Sequence, residues 1–307
     1  AQSLRDTSLW STVLITKGSN TYNRTGQYDP VSALNAAELM NAWSGYAPEQ
    51  YAAAISNAIV VCSEQHRYQE LDRIIDGMAV RAASRPGDSL LFGTLMLNRS
   101  LQAKVRHDNE PALAYATRAY NLYKSGGLAA TNPSAMLQCY VILTAMQNWA
   151  GDHESLVRTA TEGLADPALN GSQHWENRSM LLNNLANGLM DLGEFVEAAA
   201  VFLSPELLDE HSQRHRGLNN LGRCYHRMGR FESSDSCFNV ILKEEPSRST
   251  AGLAYYNLGA HALSRGNAQG SEQYLLKALC SYGIHCGPPN RPLILPYDAD
   301  SVDVRFD

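Results

Sequence analysis

The sequence predicts an all-α protein in which about seven helical hairpins stack one after another. Three observations support this prediction. β-Strand patterns are sparse until the end of the chain, and alanine, leucine, glutamate, glutamine and arginine dominate the rest. Apolar residues recur at spacings of three and four, as they do on the buried face of an α-helix. A set of small, apolar and turn-forming residues also returns at nearly constant intervals along the chain.

The composition narrows the class of protein. The chain has 307 residues, of which 44% are hydrophobic, so it can bury a sizeable core as one elongated domain or two compact ones. Its net charge of -6 disfavours direct binding of nucleic acid, which needs a basic face. No apolar run is long enough to cross a bilayer, so neither a membrane span nor a membrane partner is expected.

The six cysteines bear on the compartment. They are scattered and form no C-x-x-C pair, which argues against a zinc ribbon and against a disulfide framework. We therefore expect buried free thiols and a cytoplasmic protein. A start at Ala1 is also compatible with a removed signal peptide, a removed tag or a longer protein, so the compartment stays open.

The clearest repeat lies between residues 215 and 248. It places leucines, small residues, aromatic residues and a terminal proline at the following positions: Leu218, Leu221, Gly222, Tyr225, Gly229, Phe231, Ser234, Phe238, Leu242 and Pro246. This pattern resembles the tetratricopeptide repeat (TPR). The resemblance implies a right-handed superhelical α-solenoid of TPR-like hairpins, in which the first helix of each hairpin lines a concave groove.

Elementary physical chemistry accounts for the residue types in this repeat. Gly222 and Ser234 are small, so two antiparallel helices can approach each other closely there. Tyr225, Phe231 and Phe238 are expected to fill the space between the helices. Gly229 supplies a turn conformation that a side chain would resist, and the terminal proline ends the second helix.

The pattern extends in both directions. Gly193, Gly229 and Gly266 lie 36 and 37 residues apart and mark the turns of three well-matched hairpins within residues 166–284. Residues 1–165 are expected to form degenerate hairpins with longer repeats, whose turns we place at these positions: Gly26, His66, Asp108 and Gly151. Residues 285–307 are rich in proline and are expected to form an extended tail.

Sequence signals for catalysis are weak. The chain contains no dinucleotide-binding, phosphate-loop, zinc-protease or nucleophile-elbow motif. His285 and Cys286 form the one adjacent His/Cys pair and are the remaining candidates for an α-helical enzyme. Cys224 and His226 are only two residues apart in a predicted helix, so their side chains diverge. The sequence therefore predicts a non-catalytic protein that needs no cofactor or metal.

A polar stripe runs beside the packing residues of the clearest repeat. Arg216, Asn220, Arg223 and Arg227 follow one another at i, i+4, i+7 and i+11, which places them on one helical face. When the same register is applied to the other repeats, three of them have an asparagine at the position of Asn220: Asn57, Asn184 and Asn257. The repeat that contains Asn184 also has an asparagine, Asn187, at the position of Arg223. The TPR resemblance implies that this face points into the groove.

Two interpretations of the asparagines remain open. An amide offers both a donor and an acceptor, so a ladder of asparagines could hold the backbone of an extended peptide. The arginines would then favour an acidic side chain or a C-terminal carboxylate. Alternatively, the asparagines bond to the adjacent hairpin and have a structural role.

These observations lead to a functional prediction. The chain is expected to bind a peptide or an extended segment of a protein partner in the groove, as the sensor or scaffold part of a larger protein or complex. One alternative is a peptide-sensing regulator similar to the bacterial TPR quorum-sensing receptors. Residues 1–30 do not resemble the helix-turn-helix or effector bundle of those receptors. A homodimer, and a tail whose aspartates cover the arginine stripe, are further alternatives.

Overall fold

The structure is a computed structural model, and the described residues are Leu14, 29–42, 48–171, 174–208, 211–244 and 247–282. The described part contains fifteen α-helices and no strand, so the predicted all-α array of TPR-like hairpins is confirmed. The predicted turn at Gly26, the proline at Pro246 and the tail with His285 and Cys286 lie outside the described residues. No helix in the described part is both long enough and apolar enough to span a membrane.

Most of the helices pair into hairpins that follow one another along the chain. Their bounds are α1 Pro30–Ala42, α2 Pro48–Glu64, α3 Tyr68–Ala83, α4 Ser89–Val105, α5 Asn109–Ser125, α6 Leu128–Thr131, α7 Pro133–Trp149, α8 His153–Ala165, α9 Trp175–Asp191, α10 Phe195–Phe202, α11 Pro205–Leu208, α12 His211–Arg227, α13 Phe231–Lys243, α14 Arg248–Ser264 and α15 Ala268–Ser281. Tight turns join α2–α3, α4–α5, α7–α8, α9–α10, α12–α13 and α14–α15. The short helices α6 and α11 and a 3-10 turn at Pro167–Leu169 lie between hairpins.

All six turns share one backbone conformation. One residue in each has a positive φ: His66, His107, Gly151, Gly193, Gly229 and Gly266. The N–H of the residue that follows bonds to a carbonyl five residues earlier, as Arg230 does to Tyr225 at 2.8 Å. This is the Schellman arrangement, which satisfies carbonyl groups at a helix end. The predicted turns are confirmed, although the positive-φ residue of the third hairpin is His107 and not Asp108.

The structure divides into two compact units, residues 1–184 and 185–307. The division falls inside α9, which runs without interruption from Trp175 to Asp191. The first unit holds α1 to α8 and the start of α9, and the second holds the rest of α9 and α10 to α15. The boundary that the sequence predicts near residue 165 separates degenerate hairpins from well-matched ones. It is a division by repeat quality and stays a prediction.

The core of the second unit forms around the predicted packing residues. Phe238 is fully buried and packs with Leu218, Ile241 and Leu258. A Cβ atom on Gly222 would lie 2.6 Å from the Phe238 ring, so the glycine is what allows the ring to approach α12. Phe231 fills the helix interface only in part: its ring packs edge-on against His226 of α12, with 5.2 Å between the ring centroids, but 36% of the residue is exposed. It opens α13 at the hairpin end, where solvent covers one side of the ring.

The cysteines follow the predicted pattern with one exception. Cys62, Cys139, Cys224 and Cys237 are free and buried. Burial raises the pKa of both the Cys62 and Cys237 thiols to about 11, so they stay protonated and unreactive at neutral pH. Cys280 is disulfide-bonded, which corrects the expectation of free thiols throughout the chain.

Candidate functional site

The predicted arginine stripe lies on α12. Its 17 residues, His211–Arg227, form the first helix of the hairpin in which the repeat pattern is clearest. Arg216, Arg223 and Arg227 are exposed, whereas Asn220 between them is only 7% exposed. The spacing of three and four residues therefore produces one helical face with cations at the surface and an amide beneath them.

The three guanidinium groups place positive charge at the surface of α12. None of them forms an ion pair with a carboxylate among the described residues, and only Arg223 has a side-chain partner, the Asn220 Oδ1 atom at 3.4 Å. Desolvation by the surrounding protein lowers the pKa of Arg223, although the residue is exposed. The negative charge of Asp191 raises the same pKa.

Asn257 on α14 bonds to the preceding hairpin. Its Nδ2 atom donates to the Oδ1 atom of Asn219 on α12 at 2.9 Å. One of the two amide N–H groups is therefore committed to a contact between two first helices. The second N–H and the Oδ1 atom of Asn257 form no hydrogen bond with the described residues, so both are available to a ligand.

Asn184 forms the corresponding contact in the first unit. Its Nδ2 atom donates to the Val141 carbonyl at 3.2 Å and to the Thr144 hydroxyl at 2.9 Å, both on α7. The donors at two equivalent positions of the repeat thus join successive first helices. This is the structural contact that the second interpretation of the asparagines anticipated.

The remaining predicted residues lie at equivalent places but make no such contact. Asn57 on α2 and Asn187 on α9 are partly exposed, and neither side chain has a hydrogen-bond partner among the described residues. Within one unit, the structure brings Asn220, Arg223, Arg227 and Asn257 to neighbouring helices. A groove that also includes Asn57 and Asn184 stays a prediction.

Sequence reasoning missed a polar cluster between the last two hairpins. The Ser234 hydroxyl donates to the Gly222 carbonyl at 2.5 Å, and the His261 ring lies 3.3 Å from the same hydroxyl oxygen. His261 Nδ1 donates to Asp235 Oδ1 at 3.0 Å, and Asp235 also pairs with Arg265 at 2.8 Å. The one available signal was a histidine among the apolar packing positions of α14, which required a polar partner in the adjacent helix.

This cluster contains a serine, a histidine and an aspartate but lacks the geometry of a hydrolase. Ser234 is fully buried and His261 is 3% exposed, so no substrate can reach the hydroxyl. The Ser234 hydroxyl lies beside the His261 ring, 3.3 Å from Nδ1 and 3.5 Å from Nε2, and donates its own proton to the Gly222 carbonyl, whereas the serine of a triad donates its proton to the histidine nitrogen opposite the aspartate. In the described residues, no group of three or more His, Cys, Asp and Glu side chains could hold a metal ion.

Comparisons with known proteins identify the type of fold. No protein-family model matches the sequence, and no curated protein matches it. Among solved structures, apo RapI is similar with a TM-score of 0.60 and 10% identity, covering 89% of this chain and 97% of its own. A TPR protein from Parabacteroides merdae gives 0.52 and 15%, covering 89% and 93%. The apo quorum sensor NprR from B. thuringiensis gives 0.51 and 11%, covering 89% and 87%.

These similarities define the class of protein by its fold. The chain is an all-α helical-repeat protein of the TPR type, which confirms the resemblance that its clearest repeat carries. At 10% to 15% sequence identity, the similar structures establish the fold of the chain but do not identify its ligand. Any ligand must be inferred from the chain's own residues.

Proposed function

We propose that this chain is a non-catalytic interaction module that binds an extended, acidic peptide segment along the exposed face of α12, with α14 beside it. One observation carries the proposal: Arg216, Arg223 and Arg227 line one face and form no ion pair among the described residues, although the Asp191 carboxylate acts on Arg223. Unpaired cations on a rigid helix repel one another and are stabilised when an anionic ligand binds.

The chemistry of the face suits a peptide. A guanidinium binds a carboxylate through two parallel hydrogen bonds, which fixes the direction of the acidic side chain or chain terminus. The free acceptor of Asn257 can take a backbone N–H of the same peptide, at about 0.5–1.5 kcal/mol for each such bond. Because Asn184 uses its amide donors, and Asn257 one of its two, in contacts between helices, we assign recognition mainly to the arginines.

The proposal is tested with a peptide library selected against the purified chain. Bound peptides should be enriched in Asp, Glu or a free C-terminal carboxylate, and the enrichment should vanish in the triple variant Arg216→Gln/Arg223→Gln/Arg227→Gln. The matched control replaces three exposed arginines elsewhere, Arg118→Gln/Arg158→Gln/Arg248→Gln. Equal selection by the two triple variants would contradict the proposal.

A peptide-sensing regulator is the alternative setting for the same site. The observation in its favour is the structural similarity to the quorum sensor NprR, which covers 87% of that chain. A sensor should bind a short free peptide and change its conformation. A scaffold should bind the same sequence inside an intact protein without such a change. Small-angle scattering with and without a selected peptide separates the two settings.

The assembly and the compartment form part of the proposal. A homodimer is tested by light scattering of the purified chain, before and after the arginine substitutions.

The proposed compartment is the cytoplasm, and the disulfide at Cys280 provides a test of it. Mass spectrometry of the protein isolated with alkylated thiols should show Cys280 reduced in a cytoplasmic protein and oxidised in an exported one.

A further inference from the structure

Two histidine rings stack at the contact between the last two hairpins. His226 near the end of α12 and His261 on α14 have ring centroids 3.9 Å apart and planes inclined by 9°. Phenylalanine edges close two sides: Phe231 lies against His226 at 5.2 Å, and Phe238 lies against His261 at 5.3 Å. The pair therefore has aromatic packing on both rings, with His261 buried and His226 half-buried.

Hydrogen bonds satisfy the two rings unequally. His261 donates from Nδ1 to Asp235 and lies close to the Ser234 hydroxyl. The Nδ1 atom of His226 is buried and has no hydrogen-bond partner among the described residues. A proton added to His226 Nδ1 would therefore be a buried donor without an acceptor, which is costly.

The charges around the pair are mainly positive. Arg227 on α12 and Arg265 after α14 both act against protonation of His226, and Arg265 acts against protonation of His261. Asp235 on α13 is the one carboxylate that faces the pair within the described residues, and it is already paired with Arg265. One added proton can be shared with Asp235, but a second would place two cations face to face beside two arginines.

We propose that the His226–His261 stack is a pH-sensitive latch between α12 and α14, closed while both rings are neutral and opened when they become protonated. The opening would separate the hairpin α14–α15 from α12–α13. The latch rests on the packing of these helices and does not depend on the proposed function.

A consequence for binding does rest on the proposed function. The hydrogen bond between Asn257 and Asn219 joins the same two helices as the latch. When α14 leaves α12, this bond is lost and the Asn257 acceptor moves away from the arginine stripe. A bound peptide would then lose its contact with α14, so we expect weaker binding under mildly acidic conditions.

The direction of the pH effect follows from the pKa values. Burial, assisted by nearby positive charge, lowers the pKa of both His226 and His261 below the ordinary value. The open form then binds more protons than the closed form at intermediate pH. The stability of the latch is complete above about pH 6.5, the ordinary histidine pKa, and is lost as the pH falls below that value.

The test is hydrogen–deuterium exchange of the full chain between pH 7.5 and 5.5, corrected for intrinsic exchange. Opening of α14–α15 should increase up to about tenfold per pH unit for each proton taken up. His226→Phe keeps a ring in the stack but cannot be protonated, so it should reduce this pH dependence. Asp235→Asn removes the facing carboxylate and should strengthen it.

His107→Asn is the matched control, because it removes an exposed histidine from the first unit and asparagine tolerates the positive φ there. It should leave exchange in α14–α15 unchanged. The latch is refuted if opening in the wild-type chain does not depend on pH, or if His226→Phe retains the full dependence. Because no peptide is present, this outcome is independent of whether the arginine stripe binds one.

Discussion

At the scale of single residues, the contacts between hairpins depend on a few small or polar side chains. The ring of Phe238 reaches α12 because Gly222 has no side chain, and the amide of Asn257 finds its acceptor on Asn219. Both contacts lie in the second unit and can be tested separately.

The Gly222→Ala substitution should destabilise the second unit. The added Cβ would lie 2.6 Å from Phe238, so the ring must move, and overpacking of this kind costs about 1–3 kcal/mol. Urea unfolding followed by circular dichroism gives the change in the free energy of unfolding. Gly217→Ala on the same helix is the control, because its Cβ would meet the nearest atom at 3.6 Å. It should be neutral or stabilise the helix by up to about 1 kcal/mol.

The hydrogen bond between Asn257 and Asn219 should appear as a coupling energy. In a double-mutant cycle of Asn257→Ala and Asn219→Ala, we expect about 0.5–1.5 kcal/mol of interaction. A second cycle pairs Asn257→Ala with Asn239→Ala, an exposed residue on α13 without a side-chain hydrogen bond among the described residues. Its coupling should be close to zero. Equal couplings in the two cycles would mean that the bond contributes nothing specific.

At the scale of helices and turns, the six hairpins whose turns the structure describes use the same turn, although the residue that forms it varies. Glycine takes the positive-φ position at four turns, and histidine takes it at His66 and His107. Both histidines have local contacts there: His66 Nδ1 lies 2.9 Å from the Tyr68 hydroxyl, and the His107 ring stacks at 6.3 Å on Trp149. The turn geometry is therefore set by the hairpin, and the side chain adapts to it.

Replacing a turn glycine should destabilise the chain through the backbone alone. No atom lies within 4 Å of a Cβ added to Gly229, so the cost of Gly229→Ala comes from its φ of 73°. We expect a loss of about 1–2 kcal/mol in unfolding free energy, measured in urea. Gly229→Asn should lose less, because asparagine enters this region more readily. An equal loss for both variants would indicate steric crowding and not backbone strain.

The sequence predicted the elements more completely than the contacts between them. The repeat positions of Leu218, Gly229 and Phe238 are set by periodicity and turn chemistry, which any single hairpin displays. The partner of Asn257 and the stack of His226 on His261 depend on how one first helix is rotated against the next. A periodic pattern leaves that rotation undetermined, so the structure was needed to find both contacts.

At the scale of the whole molecule, the chain divides into two units although one helix runs through the division. Repeat proteins owe their stability to single repeats and to contacts between neighbours, so a local change need not spread along the array. The chain offers a convenient probe of this property. All four tryptophans precede residue 185, where the second unit begins in the sequence: Trp10, Trp43, Trp149 and Trp175.

A substitution in the second unit should therefore affect two signals differently. With Gly222→Ala, the urea midpoint from circular dichroism should fall, whereas the midpoint from tryptophan fluorescence should move less. Circular dichroism reports helices in both units, and the fluorescence reports only residues 1–184. Equal shifts in both signals would show that the chain unfolds as one cooperative unit.

The paired asparagines of α12 give the hairpin α12–α13 both an acceptor for the next hairpin and an amide at the position of that hairpin's donor. Asn219 is the acceptor for the hairpin that follows, and Asn220 occupies the place that the donor Asn257 has in that next hairpin. A tandem duplication of this hairpin would thus bring a donor to the acceptor of its own copy, in head-to-tail order. The array could be lengthened by copying one unit without designing a new joint, which makes this hairpin the natural building block for a longer engineered array.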